Sequence, residues 1–277
     1  MNVVAIVQAR MGSSRLPGKV LLDIAGKSMI QHVIERTRRA HTLDAVTVAT
    51  TTDASDEPVA AFAATAGVAC TRGSLHDVLD RYYRAAQIHQ AEIIIRITGD
   101  CPVIDPALID LAVTTLLEGG YDFVANRLPP PFARTFPIGL DVEVCTFAAL
   151  ERAWREADQP FHREHVMPFI YEGVALNAEN PLAGLKTDNC SLLNGVSPRG
   201  FKIALLDHSP DYGSLRWTVD TAEDLELIRR VFNALEDKNN FTWYDVLALV
   251  QKHPELTEIN AQVQHKSMLD VDERRSS

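Results

Sequence analysis

The chain has 277 residues, 46% hydrophobic and 23% charged, with a formal net charge of −10. These fractions exclude a disordered or collagen-like chain, and the acidic balance argues against broad attraction to nucleic acid, whose phosphates are held by Lys and Arg. Cys70, Cys101, Cys145 and Cys190 lie far apart without C-x-x-C spacing, which excludes a zinc knuckle or thioredoxin motif and suits free thiols in a reducing compartment.

Val3 to Val7 is a short β-branched run, expected as a strand buried on both faces. It leads into a polar loop, Gln8 to Gly18, rather than a cleavage site, and no window approaches the roughly 18 apolar residues that span a bilayer, so a cytoplasmic protein is expected. Ser28 and Gln31 have capping-box spacing ahead of Met29, Ile30, Val33 and Ile34, which predicts a helix to about Ala40. Ala45 to Thr50 reads as a strand, and Asp56 with Pro58 as a helix start. A short strand near Val68 to Cys70 precedes a helix over Val78 to His89. Glu92 to Ile97 is a fourth strand, ending at Thr98-Gly99-Asp100-Cys101-Pro102. Asp105 and Pro106 then open a helix closed by Gly119-Gly120. Four such strand-helix units predict an α/β fold with a doubly wound, mostly parallel sheet.

Pro129-Pro130-Pro131 forbids regular helix, so the stretch from Asn126 to Gly139 is expected to be a long loop over the sheet edge. Asp141 to Cys145 reads as a strand, Thr146 as the cap of a helix to Glu156, and His162 to Tyr171 as another helical stretch. Gly173 to Gly200 carries no legible period. Phe201 to Leu206 and Leu215 to Val219 read as strands, Glu223 to Leu235 as a helix, and Thr242 as the cap of a helix to Lys252. The expectation is one domain over 1–260, with a polar, frayed tail over 261–277.

In an open parallel sheet, ligands bind beyond the carboxyl ends of the strands. The loop after the first strand carries Gly12 and Gly18, which permit close backbone approach, and Arg10, Arg15 and Lys19, cations suited to phosphate oxygens. It is not a Walker loop, since Gly12 and Gly18 enclose five residues and Val20 follows Lys19. The fingerprint G-x-G-x-x-G is absent as well. A solvated basic turn is the alternative reading. Asp100 and Asp220 both stand at predicted strand ends; Asp100 could be a turn former, and Asp220 or Thr221 a helix cap.

Gln8-Ala9-Arg10, Ser14-Arg15-Leu16-Pro17-Gly18-Lys19 and Gly26-Lys27 resemble the signature of the acylneuraminate and ulosonate cytidylyltransferase family, in the branch of the spore coat polysaccharide biosynthesis protein SpsF. The similarity continues through Arg72-Gly73-Ser74, Asp77 to Tyr82, Thr98 to Pro102, Pro137 with Gly139 to Glu143, Arg163 to Val166, and Trp217 to Asp220. It implies a nucleotide-diphospho-sugar transferase-like fold whose region 126–171 forms a dimer contact or a lid, and a homodimer with no membrane or nucleic-acid partner. It also implies that Arg15 and Lys19 hold the phosphates of CTP and that Gln8, Ala9, Arg10 and Gly12 line the nucleotide pocket. Arg72, Gly73, Ser74 and Asp77 would lie near cytosine and ribose, and Asp100 and Asp220 would ligate Mg2+.

On the acceptor side the resemblance points to His165, although a surface ion network is the other reading. Asp141 and Glu143 alternate on a predicted strand and could receive sugar hydroxyls; Asp141 as a strand-end turn residue is the other reading. Arg127 and Arg134, on the loop opened by Asn126, suit a substrate carboxylate, with solvated loop cations as the other reading. The reaction so implied is attack by a hydroxyl of an acidic sugar on the α-phosphorus of CTP, releasing pyrophosphate, with no covalent enzyme intermediate. A phosphonate or phosphorylated acceptor would also match such cations. The rival enzyme, a glycosyltransferase, normally carries Asp-x-Asp after a central strand, and the one such triplet here is Asp270-Val271-Asp272. A catalytically idle binding protein is the rival from another class.

Overall fold

Alternating burial explains why the first strand lies inside the sheet. In β1 (Val3–Gln8), Val3, Ala5 and Val7 face one helical layer while Val4 and Ile6 face the other, as a strand covered on both sides must. The computed structural model describes residues 1–178, 189–236 and 240–264. A small ribbon, β2 (Asp23–Ile24) and β3 (Lys27–Ser28), leads to α1 (Met29–Thr37), β4 (Ala45–Thr51), α2 (Glu57–Thr65), β5 (Ala69–Gly73), α3 (Val78–Ile88), β6 (Ile93–Thr98) and α4 (Pro106–Gly119). Then follow β7 (Phe123–Ala125), β8 (Glu143–Thr146), α5 (Phe147–Glu156), α6 (Pro160–His165), α7 (Pro168–Tyr171), β9 (Asn177–Ala178), β10 (Cys190–Val196), β11 (Lys202–His208), α8 (Ala222–Ala234), α9 (Trp243–Lys252) and α10 (Glu255–Glu258).

Among the described residues the main sheet has nine strands in the order β5-β4-β1-β6-β8-β7-β11-β10-β9. Following the pairings outward from β1, only β8 and β10 run against the rest. Helices α1, α2, α4, α8 and α9 cover one face and α3, α5 and α7 the other, which is the doubly wound, mostly parallel α/β arrangement expected. Each fully buried core side chain, such as Leu79 or Ile95, contributes about 1.5–3 kcal/mol by removal from water.

Several local expectations are corrected. Ser28 stands at the start of α1, but its hydroxyl makes no capping bond and is buried without a partner; Gln31 instead donates to Glu35 at 2.9 Å, which Lys27 also holds. That helix stops at Thr37, where i→i+3 bonds from Arg39 and Ala40 tighten the chain. Asp56 does not cap α2 with its side chain. The strand expected near Val68 to Cys70 runs to Gly73, because its ladder with β4 continues to Thr51. The segment 162–171 is two helices, broken at Val166, whose φ is 73°.

The strand expected from Asp141 begins only at Glu143, so strand alternation does not relate these two carboxylates. Leu215 to Val219 makes a single bridge, Ile138 to Arg216, and is not a sheet strand. The three-residue β7 was not expected at all. Within Gly173 to Gly200 the described residues form β9 and β10, while 179–188, the tail beyond 264 and the Asp270-Val271-Asp272 triplet lie outside the described residues.

Candidate active site

The direction of the strands brings Gln8, Thr51, Gly73, Thr98 and Ala125, the last residues of β1, β4, β5, β6 and β7, to one edge of the sheet. Beyond β1 the chain folds into a loop held by the backbone bond from Gly18 to Met11, 2.9 Å. Gly18 turns it with a left-handed φ of 71°, which glycine adopts without penalty. Asp56, 1% exposed, accepts from the Met11 amide at 2.6 Å and from the Thr51 hydroxyl. The residue read as a helix cap is therefore the clamp of the basic loop. Gly99 presses the loop after β6 against that after β1: its amide donates to Gln8 at 2.8 Å, and a Cβ there would lie 3.0 Å from the Gln8 carbonyl oxygen.

These close approaches let Lys19 reach across the cleft. Its Nζ lies 2.7 Å from Asp100 Oδ2, 2.8 Å from Asp220 Oδ1 and 2.8 Å from the Val219 carbonyl. The ammonium thus sits in a cradle of three oxygens. The segment 217–220 is fixed there because Val219 N donates to Asp100 O, the Thr218 hydroxyl donates to the same oxygen, and Trp217 N donates to Ile138 O. Burial acts to lower the Lys19 pKa, but Asp100 and Asp220 outweigh it and raise it. Burial likewise acts to raise the Asp220 pKa, and Lys19, Arg216 and Arg15 together hold it far below the usual carboxylate range.

Asp220 is not the cap of α8. Thr221 takes that position, in a reciprocal capping box with Asp224, which leaves the Asp220 carboxylate free to face the cleft. Its Oδ2 receives Arg15 at 2.8 Å and Arg216 at 2.7 Å. Arg216 is itself locked by two bonds to Asp224, at 2.9 and 3.1 Å, and the fully buried Asp224 also accepts from Asp220 N, Thr221 N and Asn260. Arg216, Asp224 and Asn260 were not picked out from the sequence; the T-x-x-D spacing at Thr221 was the signal available for Asp224. The expected tail begins inside this region too, since the Gln264 carbonyl accepts from Arg15 at 3.3 Å.

The donor set suits magnesium. That ion takes one or two carboxylates and completes its shell with substrate oxygens and water, and Asp100, Asp220 and the Val219 carbonyl already surround one cationic group. Among the described residues there is no cluster of three or more His, Cys, Asp or Glu side chains placed for a metal. A divalent ion would therefore need the oxygens that Lys19 now holds.

Other expected residues of the nucleotide side have mixed placements. Gln8 lies at the edge with its side-chain oxygen buried and unpartnered, Ala9 is buried beside Gly99, and Arg10 and Gly12 follow half-buried in the basic loop. Arg72 is engaged by Glu57, Thr51 O and Asp53 O. Asp77 caps α3 and binds the Arg163 guanidinium with both oxygens. Ser74 accepts from the His76 amide. Gly73 leaves room for Arg81, whose Cγ would lie 2.7 Å from a Cβ there. Arg81 is 1% exposed, with Nε and Nη1 unpartnered.

The expected acceptor residues pair chiefly within the protein. Arg134 makes a two-pronged ion pair with Asp141. Glu143 is buried against Arg96, its neighbour across β6 and β8. Asn126 clamps the backbone at Leu140 O and Val142 N, both at 2.8 Å. His165 ends α6, half-buried. Within 126–171, Phe136 and Phe169 are buried in the core.

A parallel-sheet edge carrying a glycine-turned basic loop and facing carboxylates defines a nucleotidyltransferase-like site, and the cytidylyltransferase family model matches residues 4–189. The chain belongs to that family, the ulosonate cytidylyltransferases, in an SpsF-like branch. A 3-deoxy-manno-octulosonate cytidylyltransferase of Solibacter usitatus is 33% identical over 252 residues, covering 84% of this chain and 95% of that protein. The spore coat polysaccharide biosynthesis protein SpsF of Bacillus subtilis is 26% identical over 260 residues, covering 92% and 96%. A solved cytidylyltransferase from Leptospira borgpetersenii matches with a TM-score of 0.79 at 30% identity, over 96% of this chain and 99% of that one. The fold is thus nucleotide-diphospho-sugar transferase-like. Among the described residues no helix is long and apolar enough to cross a membrane.

Proposed function

We propose that the protein transfers the cytidylyl group of CTP to a hydroxyl of an acidic sugar of the ulosonate or nonulosonate class, releasing pyrophosphate, for surface-glycan synthesis. The observation that carries this reading is the meeting of Arg15 and Lys19, from the loop after β1, with Asp100 and Asp220 at one sheet edge. The acceptor hydroxyl attacks the α-phosphorus in line, so the protein's task is positioning and neutralising phosphate charge. Arg15, partly exposed on a loop, turns to the phosphates, and Lys19 follows from its cradle. Asp100 and Asp220 would hold a magnesium ion, which would supply further neutralising charge for the phosphate. Asp56 and Gly99 keep the basic loop close to β6. Support for an acidic-sugar acceptor comes from relatives named for 3-deoxy-manno-octulosonate.

Pyrophosphate release from each of the four nucleoside triphosphates with magnesium, against a panel of ulosonates and nonulosonates, tests the reading. The expected result is release with CTP and an acidic sugar, reduced at least about a hundredfold by Asp100→Ala. Consumption of a nucleotide sugar with no CTP requirement would overturn it.

A further inference from the structure

We propose that Lys19 is the resident cation of the carboxylate cradle and excludes divalent ions until a triphosphate draws it away, while Arg216 remains on Asp220 as a permanent counter-ion and positioning residue. The inference rests on the reading that a nucleoside triphosphate binds at this edge. Its basis is the unequal anchoring of the three cations that meet Asp220.

Lys19 is 8% exposed, and its ammonium donates to oxygens of Asp100, Asp220 and Val219. A divalent ion entering this cradle alone would strand a buried ammonium without acceptors, a large cost in a low-dielectric setting. A triphosphate changes the balance by offering Lys19 other oxygens. Arg15 has a side chain 27% exposed and bonds Asp220 and the Gln264 carbonyl from a loop, so it can turn as well. Arg216 cannot follow: 6% exposed, it is bonded at Nε and Nη2 to Asp224, which has no exposed surface and is held in turn by two backbone amides and Asn260. When Lys19 and Arg15 turn toward phosphate, Asp220 therefore keeps Oδ2 on Arg216 and opens Oδ1, beside Asp100 Oδ2 and Val219 O. The cradle's oxygens become available in the same event that supplies phosphate oxygens to complete a metal shell.

The test is Mn2+ binding to the full chain, read by the electron paramagnetic resonance signal of free Mn2+. Without nucleotide, Lys19→Met should bind Mn2+ at least about tenfold more tightly than the wild type, since a positive charge is removed from the cradle. Adding Asp100→Asn to that variant should cancel the gain. In the wild type, CTP should tighten Mn2+ binding; in Lys19→Met it should do so by a much smaller factor. Unchanged Mn2+ affinity in folded Lys19→Met, or equal wild-type affinity with and without bound CTP, would overturn the proposal. Should Lys19→Met fail to fold, Lys19→Gln and the wild-type pair of measurements decide. Absence of CTP binding by calorimetry would break the functional reading instead, and the nucleotide-free arm would still judge Lys19.

Discussion

At the edge proposed to hold the phosphates, Lys19, Asp100 and Asp220 come together across sequence separations of 81 and 201 residues. Where the acceptor is proposed to lie, Arg134 and Asp141, seven residues apart, close on each other, and Glu143 is taken by Arg96 on the adjacent strand. Long-range convergence of like and unlike charges at a strand edge has no purely local explanation, whereas a short-range pair can simply fasten a loop. The difference separates charges gathered for a ligand from charges that shape the wall around it.

The comparison can be broken most forcefully at Arg216. Arg216→Met leaves buried Asp224 without its guanidinium and should cost about 3–5 kcal/mol in urea unfolding, the usual effect of stranding one partner of a buried pair. A loss below about 1 kcal/mol would show that Asp224 is satisfied by amides alone. Gly139→Ala comes next. Gly139 has a φ of 109°, and a Cβ there would lie 2.5 Å from Thr218 N, on the segment that carries Asp220. A backbone cost of about 1–3 kcal/mol is expected, with a fall in pyrophosphate release larger than stability alone explains.

Acidity probes the same side. Because Lys19, Arg216 and Arg15 depress the Asp220 pKa, its stabilising contribution is present above the unfolded value of about 3.9 and is lost as pH falls through the folded value. Stability of the wild type should therefore drop more steeply below about pH 4 than that of Asp220→Asn, measured by urea titration at each pH. Equal slopes would mean that Asp220 is not held by this cation cluster. The smallest effect belongs to the acceptor wall: the partly exposed pair makes Arg134→Ala cost only about 0–1 kcal/mol. If the pair only shapes the wall, KM for the acid sugar should move no more than KM for CTP; a selective rise for the sugar would move Arg134 to the ligand-gathering class.

Much of the first half was legible because β-branched runs and helix starts alternate there, and the Asp105 cap and Gly120 end of α4 appear as read. Strand β7 was missed because Phe123 to Ala125 is too short to show a period. Of the two readings of Asp141, the strand residue failed and the residue before the strand stands, because apolar alternation cannot tell a strand from the chain entering it; Leu215 to Val219 misled for the same reason. At the site, the basic loop, Asp100 and Asp220 were visible as motifs at strand ends. Arg216 and Asn260 were not, since their importance comes from a buried carboxylate that only the folded chain reveals. Asp56 was read only in part: with Pro58 it marks the start of α2 as expected, and only the fold shows that its carboxylate is spent on Met11 rather than on the helix.

The distance along the chain between the halves of the cradle also bears on how the protein is made. The stretch matched by the family, 4–189, supplies Arg15, Lys19 and Asp100 but ends before Arg216, Asp220 and Asp224. A nascent chain can pair β1 with β4 and β6 early, while Lys19 waits for residues about 200 positions later. At a synthesis rate of about 5–20 residues per second, that wait lasts on the order of ten seconds or more. The nucleotide edge is completed only as the last third of the chain folds back across the sheet, so a fragment released before Asp220 has its basic loop but cannot close the site.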